Sequence, residues 1–227
     1  MSIIADHLRQ VRDQINTAAR QAGRQQADIR LLAVSKTKPA EMIAEAHAAG
    51  QNAFGENYLQ DALPKIKQLK DHDLEWHFIG AIQSNKTRDI AEHFDWVHTV
   101  DREKIARRLS DQRPEHLPPL NICLQVNISE EDSKAGLAPV DVASLAASVS
   151  KLPRLRLRGL MAIPATETDP EKQRIPFRAL AELQQSLIAS GLELDTLSMG
   201  MSGDLDAAIA EGATIVRIGT AIFGARA

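Results

Sequence analysis

One cysteine, one tyrosine and two tryptophans stand in a chain of 227 residues, and aromatics make up only 4% of it. The single thiol, Cys123, excludes a disulfide within the chain and fits a reducing compartment. Set in the apolar run "LNICLQVN", it reads as a small buried hydrophobe. An excess of either charge is also missing: 27 Lys and Arg oppose 30 Asp and Glu, for a net charge of −3. No basic footprint results, so nucleic acid is not an expected partner. No apolar run reaches membrane-spanning length. The first twenty residues carry charges throughout and no apolar h-region, which predicts no secretory signal and a soluble, cytoplasmic protein. His7, His47, His72, His93, His98 and His116 share no face and no metal-ligand spacing. They are assigned to the surface or to helices, and no metal site is expected. His77 alternates with Trp76 and Phe78 and reads as a core histidine.

What the chain does have is a regular alternation. Ile4, Leu8, Val11, Ile15 and Ala19 lie at helical spacing in an opening helix over 3–22, ended by Gly23. Strand-like runs follow at 30–35, 52–55, 75–80, 95–100, 120–127, 156–162, 194–199 and 214–219. Helical patterns separate them at 40–49, 58–70, 86–93, 102–111, 139–151, 171–190 and 203–211, and Gly50, Gly191 and Gly212 mark three of the helix ends. In "PRLRLRG" the arginines alternate with leucines, as on one solvated strand face. Eight βα units without a linker predict an α/β fold, a closed (β/α)8 TIM-type barrel with an extra N-terminal helix, as one domain over 1–227. A doubly wound open sheet is the runner-up, weakened because no strand leads into a G-x-G-x-x-G turn.

In such a barrel, function gathers at the C-terminal ends of the strands. "LLAVSKTKP" delivers Lys36 on the first of them, with Lys38 two residues on. The second ends in "GENY", the third is followed by Gln83, Asn85 and Lys86, and the fifth ends at Asn127 with Lys134 in the loop beyond. The loops after strands 7 and 8 are where barrels commonly hold a phosphate. There "GMSGDLD" offers Ser202 as the expected N-cap of a helix, and "RIGT" offers Gly219 for close backbone approach and the Thr220 hydroxyl. Asp204 and Asp206 could satisfy the same helix end. Val216 and Ile218 share one face, so Arg217 points the other way, where it needs an ion-pair partner or a polar ligand. A nucleophilic lysine must be neutral, and burial of Lys36 beside a second cation such as Lys38 or Arg217 would lower its pKa. A lysine, a phosphate cradle and an arginine around one mouth are the parts that hold pyridoxal 5′-phosphate.

The motifs "AVSKTKP", "FGENY", "EWHFIGAIQSNK", "QVNIS…SKAG", "RGLMAIP", "LSMGMSGD" and "VRIGTAIFGAR" run nearly end to end. In order and wording the sequence resembles the pyridoxal phosphate homeostasis proteins, departing only at Ile82, where the family usually has leucine. The resemblance implies a barrel like that of alanine racemases, with the cofactor bound as an imine on Lys36. It also implies that Ser202, Gly219 and Thr220 hold the phosphate, that Arg217 faces the ring nitrogen, and that Asn57 and Met199 or Met201 line the site.

An arginine opposite the ring nitrogen disfavours its protonation and weakens the cofactor as an electron sink. Racemase chemistry needs acid–base groups on both ring faces. The related racemases take one, a tyrosine, from a second C-terminal domain, and this sequence ends at Ala227 just after its last strand, with Tyr58 its only tyrosine. The expected function is therefore a non-catalytic carrier in intracellular cofactor homeostasis, storing, delivering or buffering pyridoxal phosphate, with cofactor-dependent apo-enzymes as partners and no catalytic residue. The alternatives are a small racemase or decarboxylase of the same fold, and a lysine-imine aldolase without a cofactor. Lys38 and Lys134 are candidates for a release relay, a second amine accepting the aldehyde, against the plainer reading of two solvated loop lysines attracting phosphate.

Overall fold

The computed structural model describes residues 2–129, 131 and 134–225. Period-two patterning gives eight strands: β1 (Arg30–Val34), β2 (Ala53–Glu56), β3 (Glu75–Phe78), β4 (Trp96–Val100), β5 (Leu120–Gln125), β6 (Leu155–Met161), β7 (Thr196–Ser198) and β8 (Ile215–Ile218). They pair in parallel and in chain order into a closed barrel, with β8 returning to β1 so that Leu32 lies beside Arg217. Nine helices are found among the described residues: α1 (Ile3–Gln21), α2 (Ala40–Ala48), α3 (Leu59–Gln68), α4 (Thr87–His93), α5 (Glu103–Gln112), α6 (Val142–Val149), α7 (Pro170–Ala189), α8 (Leu205–Ala210) and α9 (Thr220–Phe223). This is the expected (β/α)8 architecture with its leading helix.

Alternation along each strand separates two apolar layers. Leu31, Ala33, Phe54, Trp76, Phe78, Val97, Ile122, Leu197, Val216 and Ile218 face out and pack under the helices. Leu32, Ala53, Trp96, Cys123, Met161 and Ile215 fill the barrel interior. Cys123 is buried there and its thiol is pushed up to about 12 by burial, so it is inert at neutral pH. The apolar stripe of α1 (Ile4, Leu8, Val11, Ile15, Ala18 and Ala19) is buried against α8, α9 and α2, covering the side where β8 meets β1. The Ser2 hydroxyl caps it by accepting from the Ala5 N–H at 3.2 Å.

Two readings of the sequence are corrected at this level. The helix after strand 7 begins at Leu205 with Asp204 in the N-cap position, so Ser202 lies in the turn before it. The Asp204 carboxylate accepts from the Met201 N–H, which folds the turn back and delays the helix. Arg158 is not on a solvated face. It spans Asp195 (2.7 Å) and Asn121 (2.9 Å) and lies 4.7 Å over the Trp96 ring, closing the N-terminal end of the barrel beside the Arg30–Glu75 pair.

Two glycines hold the other end open. A Cβ at Gly80 would stand 1.9 Å from the Asn57 carbonyl oxygen, so only glycine lets the exits of β2 and β3 lie this close. Gly200 has φ +94, and its Cβ would stand 2.6 Å from that of Ala208. Its carbonyl accepts from the Arg217 N–H at 2.9 Å, fixing the loop after β7 against β8.

Candidate functional site at the C-terminal mouth of the barrel

The end of β1 is clamped by a buried polar cluster that the sequence reading missed. Ser35 donates its hydroxyl to Glu56 at 2.6 Å, and the Lys65 ammonium donates to the same carboxylate oxygen at 2.8 Å and to the Ser35 carbonyl at 3.0 Å. Glu56 lies on the helix-facing side of β2, where α3 brings Lys65 to it. Burial lifts the Glu56 carboxyl above its ordinary range, against the pull of Lys65 and Ser35. The chain then turns sharply, with Thr37 in the left-handed region at φ 63 and the Lys38 N–H closing onto the Ser35 carbonyl at 3.0 Å. Lys36 continues the inward series of Leu32. It is half-buried and has no hydrogen bond or salt bridge among the described residues.

Arg217 comes up from the adjacent strand. It is 5% exposed, with Val216 and Ile218 packed on the opposite face as its pattern predicts. Its guanidinium donates to the Ser198 hydroxyl at 2.8 Å and to the Ala162 carbonyl at 2.9 Å, and it has no carboxylate partner within salt-bridge distance among the described residues. Burial lowers it to about 10, so it remains cationic at neutral pH. A buried cation held only by neutral acceptors is costly unless something else answers its charge.

The other expected residues lie at the strand exits and in the loops beyond them. Asn57 and Asn127 end β2 and β5, and the side-chain oxygen of each is buried without a partner. Asn127 uses its amide to hold the following loop through the Glu131 carbonyl at 2.8 Å. Met199 and Met201 part company. Met199 is packed in the layer between barrel and helices, because Ser198 takes the inward position, whereas Met201 is 39% exposed on the loop. Ser202 is exposed in the same loop, and Thr220 begins α9 directly after Gly219. A Cβ at Gly219 would lie 3.1 Å from the Val34 carbonyl oxygen, so the exits of β8 and β1 run in close contact. Both relay candidates have partners: Lys38 donates to the Ala225 carbonyl at 2.7 Å, and Lys134 lies 3.6 Å from Glu131. Tyr58 is 49% exposed at the start of α3, on the rim.

His98, assigned to the surface or to a helix from sequence, is fully buried in the strand β4. Its Nδ1 lies 2.7 Å from the Ser198 hydroxyl and its Nε2 lies 2.8 Å from Nδ1 of His77. His77 in turn reaches Glu75 through Nε2 at 2.5 Å and stacks on Trp96. Burial lowers both imidazoles, His98 the further because His77 and Arg217 add to it. Period two in "DWVHTV" puts Trp96 and His98 on one face, and that was the available signal. Among the described residues no group of three or more His, Cys, Asp or Glu could hold a metal ion. No helix there is long and apolar enough to cross a membrane.

A groove of about 690 Å³ lies outside the barrel, between α1, the start of α7 and the turn at 202–206. It touches Ser202 but neither Lys36 nor Arg217, so it adjoins the mouth rather than forming it.

Known proteins resemble this chain over nearly its whole length. The family described as alanine racemase, N-terminal domain, matches residues 7–227. The pyridoxal phosphate homeostasis protein of Pseudomonas aeruginosa is 62% identical over 226 residues, spanning all of this chain and 97% of that protein. That of Escherichia coli is 57% identical over 229 residues, spanning all of this chain and 98% of its own length. Among solved structures, PipY of Synechococcus elongatus with pyridoxal phosphate bound superposes with a TM-score of 0.85 at 38% identity, covering 97% of this chain and all of that one. At this identity and coverage, the chain belongs to the pyridoxal phosphate homeostasis protein family.

Proposed function

We propose that this chain binds pyridoxal 5′-phosphate at the barrel mouth and keeps it in store for cofactor-dependent apo-enzymes, without turning it over itself. The observation that carries the reading is the pairing, at adjoining strand ends, of the Lys36 amine with the buried Arg217 cation. Among the described residues the amine has no partner, and the cation has no carboxylate within salt-bridge distance and is answered only from further off by Asp204. When bound, the cofactor supplies an aldehyde that condenses with an amine. The rest is done by the chain. Lys36 anchors, Arg217 donates toward the ring nitrogen, and the Ser202 and Thr220 hydroxyls with Gly219 hold the phosphate. Asn57 and Met201 border the ring, and Met199, packed in the layer between barrel and helices, drops out of the set. Two buried acceptors without donors, Asn57 Oδ1 and Asn127 Oδ1, fit a mouth that takes up a polar ligand. Carriage rather than transaminase-type turnover is supported by a cationic Arg217 facing the ring, which keeps the cofactor a weak electron sink. The homeostasis names of the relatives point the same way.

Adding pyridoxal phosphate to the purified protein, reducing with borohydride and mapping the peptides tests the reading. The cofactor mass is expected on Lys36; finding it only on Lys86 or Lys134 overturns the assignment. A protein that gains no visible absorbance band on addition of the cofactor overturns the cofactor reading as a whole. Removing the Ser202 hydroxyl loses a hydrogen bond to a charged group, worth roughly 1.5–3 kcal/mol. Ser202→Ala is therefore expected to weaken cofactor binding about ten- to a hundredfold with an unchanged melting curve, and an unaltered affinity moves the phosphate elsewhere.

The release route is the finer part of the proposal. Lys38 and Lys134 sit on the same mouth as Lys36, each held by a weak, exposed partner that it can leave. As a relay, Lys134→Ala slows cofactor transfer to an apo-enzyme while equilibrium affinity stays nearly constant. If the lysines act only by attraction, association becomes weaker and salt-sensitive instead.

A further inference from the structure

An unbroken file of hydrogen-bonding groups runs from the partly exposed Arg30–Glu75 pair at the lower end of the barrel through its interior to the mouth: Arg30, Glu75, His77, His98, Ser198, Arg217. Each group has a limited stock of protons, so the file can be followed proton by proton. A guanidinium has five N–H groups and no acceptor. Arg217 must therefore donate to the Ser198 oxygen at 2.8 Å. Ser198 is fully buried, and among the described residues the only acceptor within reach of its hydroxyl is His98 Nδ1 at 2.7 Å. With Nδ1 accepting, a neutral His98 carries its proton on Nε2, where it donates to His77 Nδ1 at 2.8 Å. His77 then carries its own proton on Nε2 and donates to Glu75, whose carboxylate also receives Arg30 at 2.6 Å. Every donor meets one acceptor with both imidazoles neutral.

With neutral imidazoles the opposite direction fails at both ends. At the lower one, His77 would turn the lone pair of its Nε2 onto the Glu75 carboxylate, acceptor against acceptor. Were His98 to donate from Nδ1, Ser198 would accept from both sides and its own proton would be stranded in the core, which is costly. A second proton on His77 would set two N–H groups face to face across 2.8 Å, unless His98 reversed and stranded that same proton.

We infer that Arg217 at one end and the Glu75 carboxylate at the other fix the direction of this chain, and that Glu75, His77, His98 and Ser198 are in return positioning residues that hold the guanidinium plane toward the group bound at the mouth. That this group is the ring of pyridoxal phosphate rests on the function proposed above; the direction of the chain does not. The link also explains why histidines occupy barrel positions that branched aliphatics usually fill. In each ring, one nitrogen accepts while the other donates, so imidazole can pass on a direction that an apolar residue cannot.

Side-chain 15N spectra of the full chain labelled at histidine, recorded without cofactor at neutral pH, test the direction. His77 and His98 are both expected neutral with the proton on Nε2. An Nδ1–H tautomer or a doubly protonated ring at either position overturns the inference. The positioning role is then tested with His77→Phe, which keeps an aromatic ring beside Trp96 and leaves Arg217 and the mouth untouched. On titration with pyridoxal phosphate, this variant is expected to shift the cofactor's visible maximum and to lose affinity roughly three- to tenfold. An unmoved band with unchanged affinity reduces the histidines to packing and overturns the role. Should His77→Phe fail to fold, the tautomers of the unaltered chain still decide. A wild-type chain that takes up no pyridoxal phosphate in the same titration overturns the functional reading and leaves the tautomer result standing.

Discussion

Lys36→Ala is expected to abolish the visible band that pyridoxal phosphate gives on binding, and to lower affinity by at least about a hundredfold, roughly 2.7 kcal/mol. The size of the effect follows from how the mouth is supplied with amines. Lys36 sits half-buried at the inward position above β1, without a partner among the described residues. Lys38 is turned to the Ala225 carbonyl at 2.7 Å, and Lys134 toward Glu131 on the loop after β5. With the proposed anchor gone, the hydroxyls of the proposed phosphate cradle and the Arg217 cation remain, so weak, reversible and spectrally silent binding is expected to persist. Lys38→Ala, measured beside it, is expected to keep the band. A Lys36→Ala protein that retains the band moves the anchor to another lysine. One that loses the band together with its melting transition has lost the fold instead, which a far-ultraviolet thermal scan separates at once.

The second large effect concerns stability. Lys65→Met removes the only cation, among the described residues, paired with a Glu56 carboxylate that is fully buried. Breaking one side of a buried pair costs about 3–5 kcal/mol, because the remaining charge is left uncompensated. Glu56 already has one oxygen, Oε2, buried without a partner, so it has little else to lean on. The deficit has a sign in pH. Burial raises the folded-state pKa of Glu56 above its unfolded value, and removing Lys65 takes away an opposing influence. A carboxyl raised in this way binds its proton more tightly when folded, so its contribution favours the native state at low pH and is lost as pH rises through the raised value. The gap between Lys65→Met and the wild type, from urea melts, is therefore expected to be widest near neutral pH and to narrow on acidification. Adding Glu56→Gln should recover most of the loss, since replacing a buried pair by neutral groups is often nearly harmless. A gap that stays constant with pH, or a double variant no better than the single one, removes Glu56 from the account.

Much of this was legible in the chain, and the reasons differ from residue to residue. The eight-fold alternation came from periodicity, because each strand carries its apolar residues at period two and each helix at period 3.6. The inward direction of Arg217 followed from Val216 and Ile218 on either side of it. Strand ends located Lys36, Asn57 and Asn127. Contacts that depend on register between strands were not legible. His98 meets His77 and Ser198 only because β3 pairs with β4, and because β4, β5, β6 and β7 bring the far side of the barrel within reach. No local pattern carries that information. The same holds for Glu56 and Lys65, nine residues apart but joined across a strand and a helix. Ser202 as a helix cap was misplaced because Asp204, two residues on, outcompeted it for the turn. Arg158 looked solvated because alternation gives the face of a strand, and not what lies beyond that face.

The pairing of β8 with β1 has a consequence in time. Lys36 comes from the first strand, and Arg217, Gly219 and Thr220 from the last or just past it, some 180 residues later in the order of synthesis. Any partly folded chain in which β8 has not yet docked holds the amine but neither the cation nor the cradle. A ligand that needs both ends is therefore ignored by incomplete chains and gripped by finished ones. Its binding energy acts on the closing seam alone, as a latch on the last hydrogen bonds to form. Amide exchange should then slow on ligand addition first along Leu31–Ala33 and Ile215–Ile218, with the strands opposite the seam little changed.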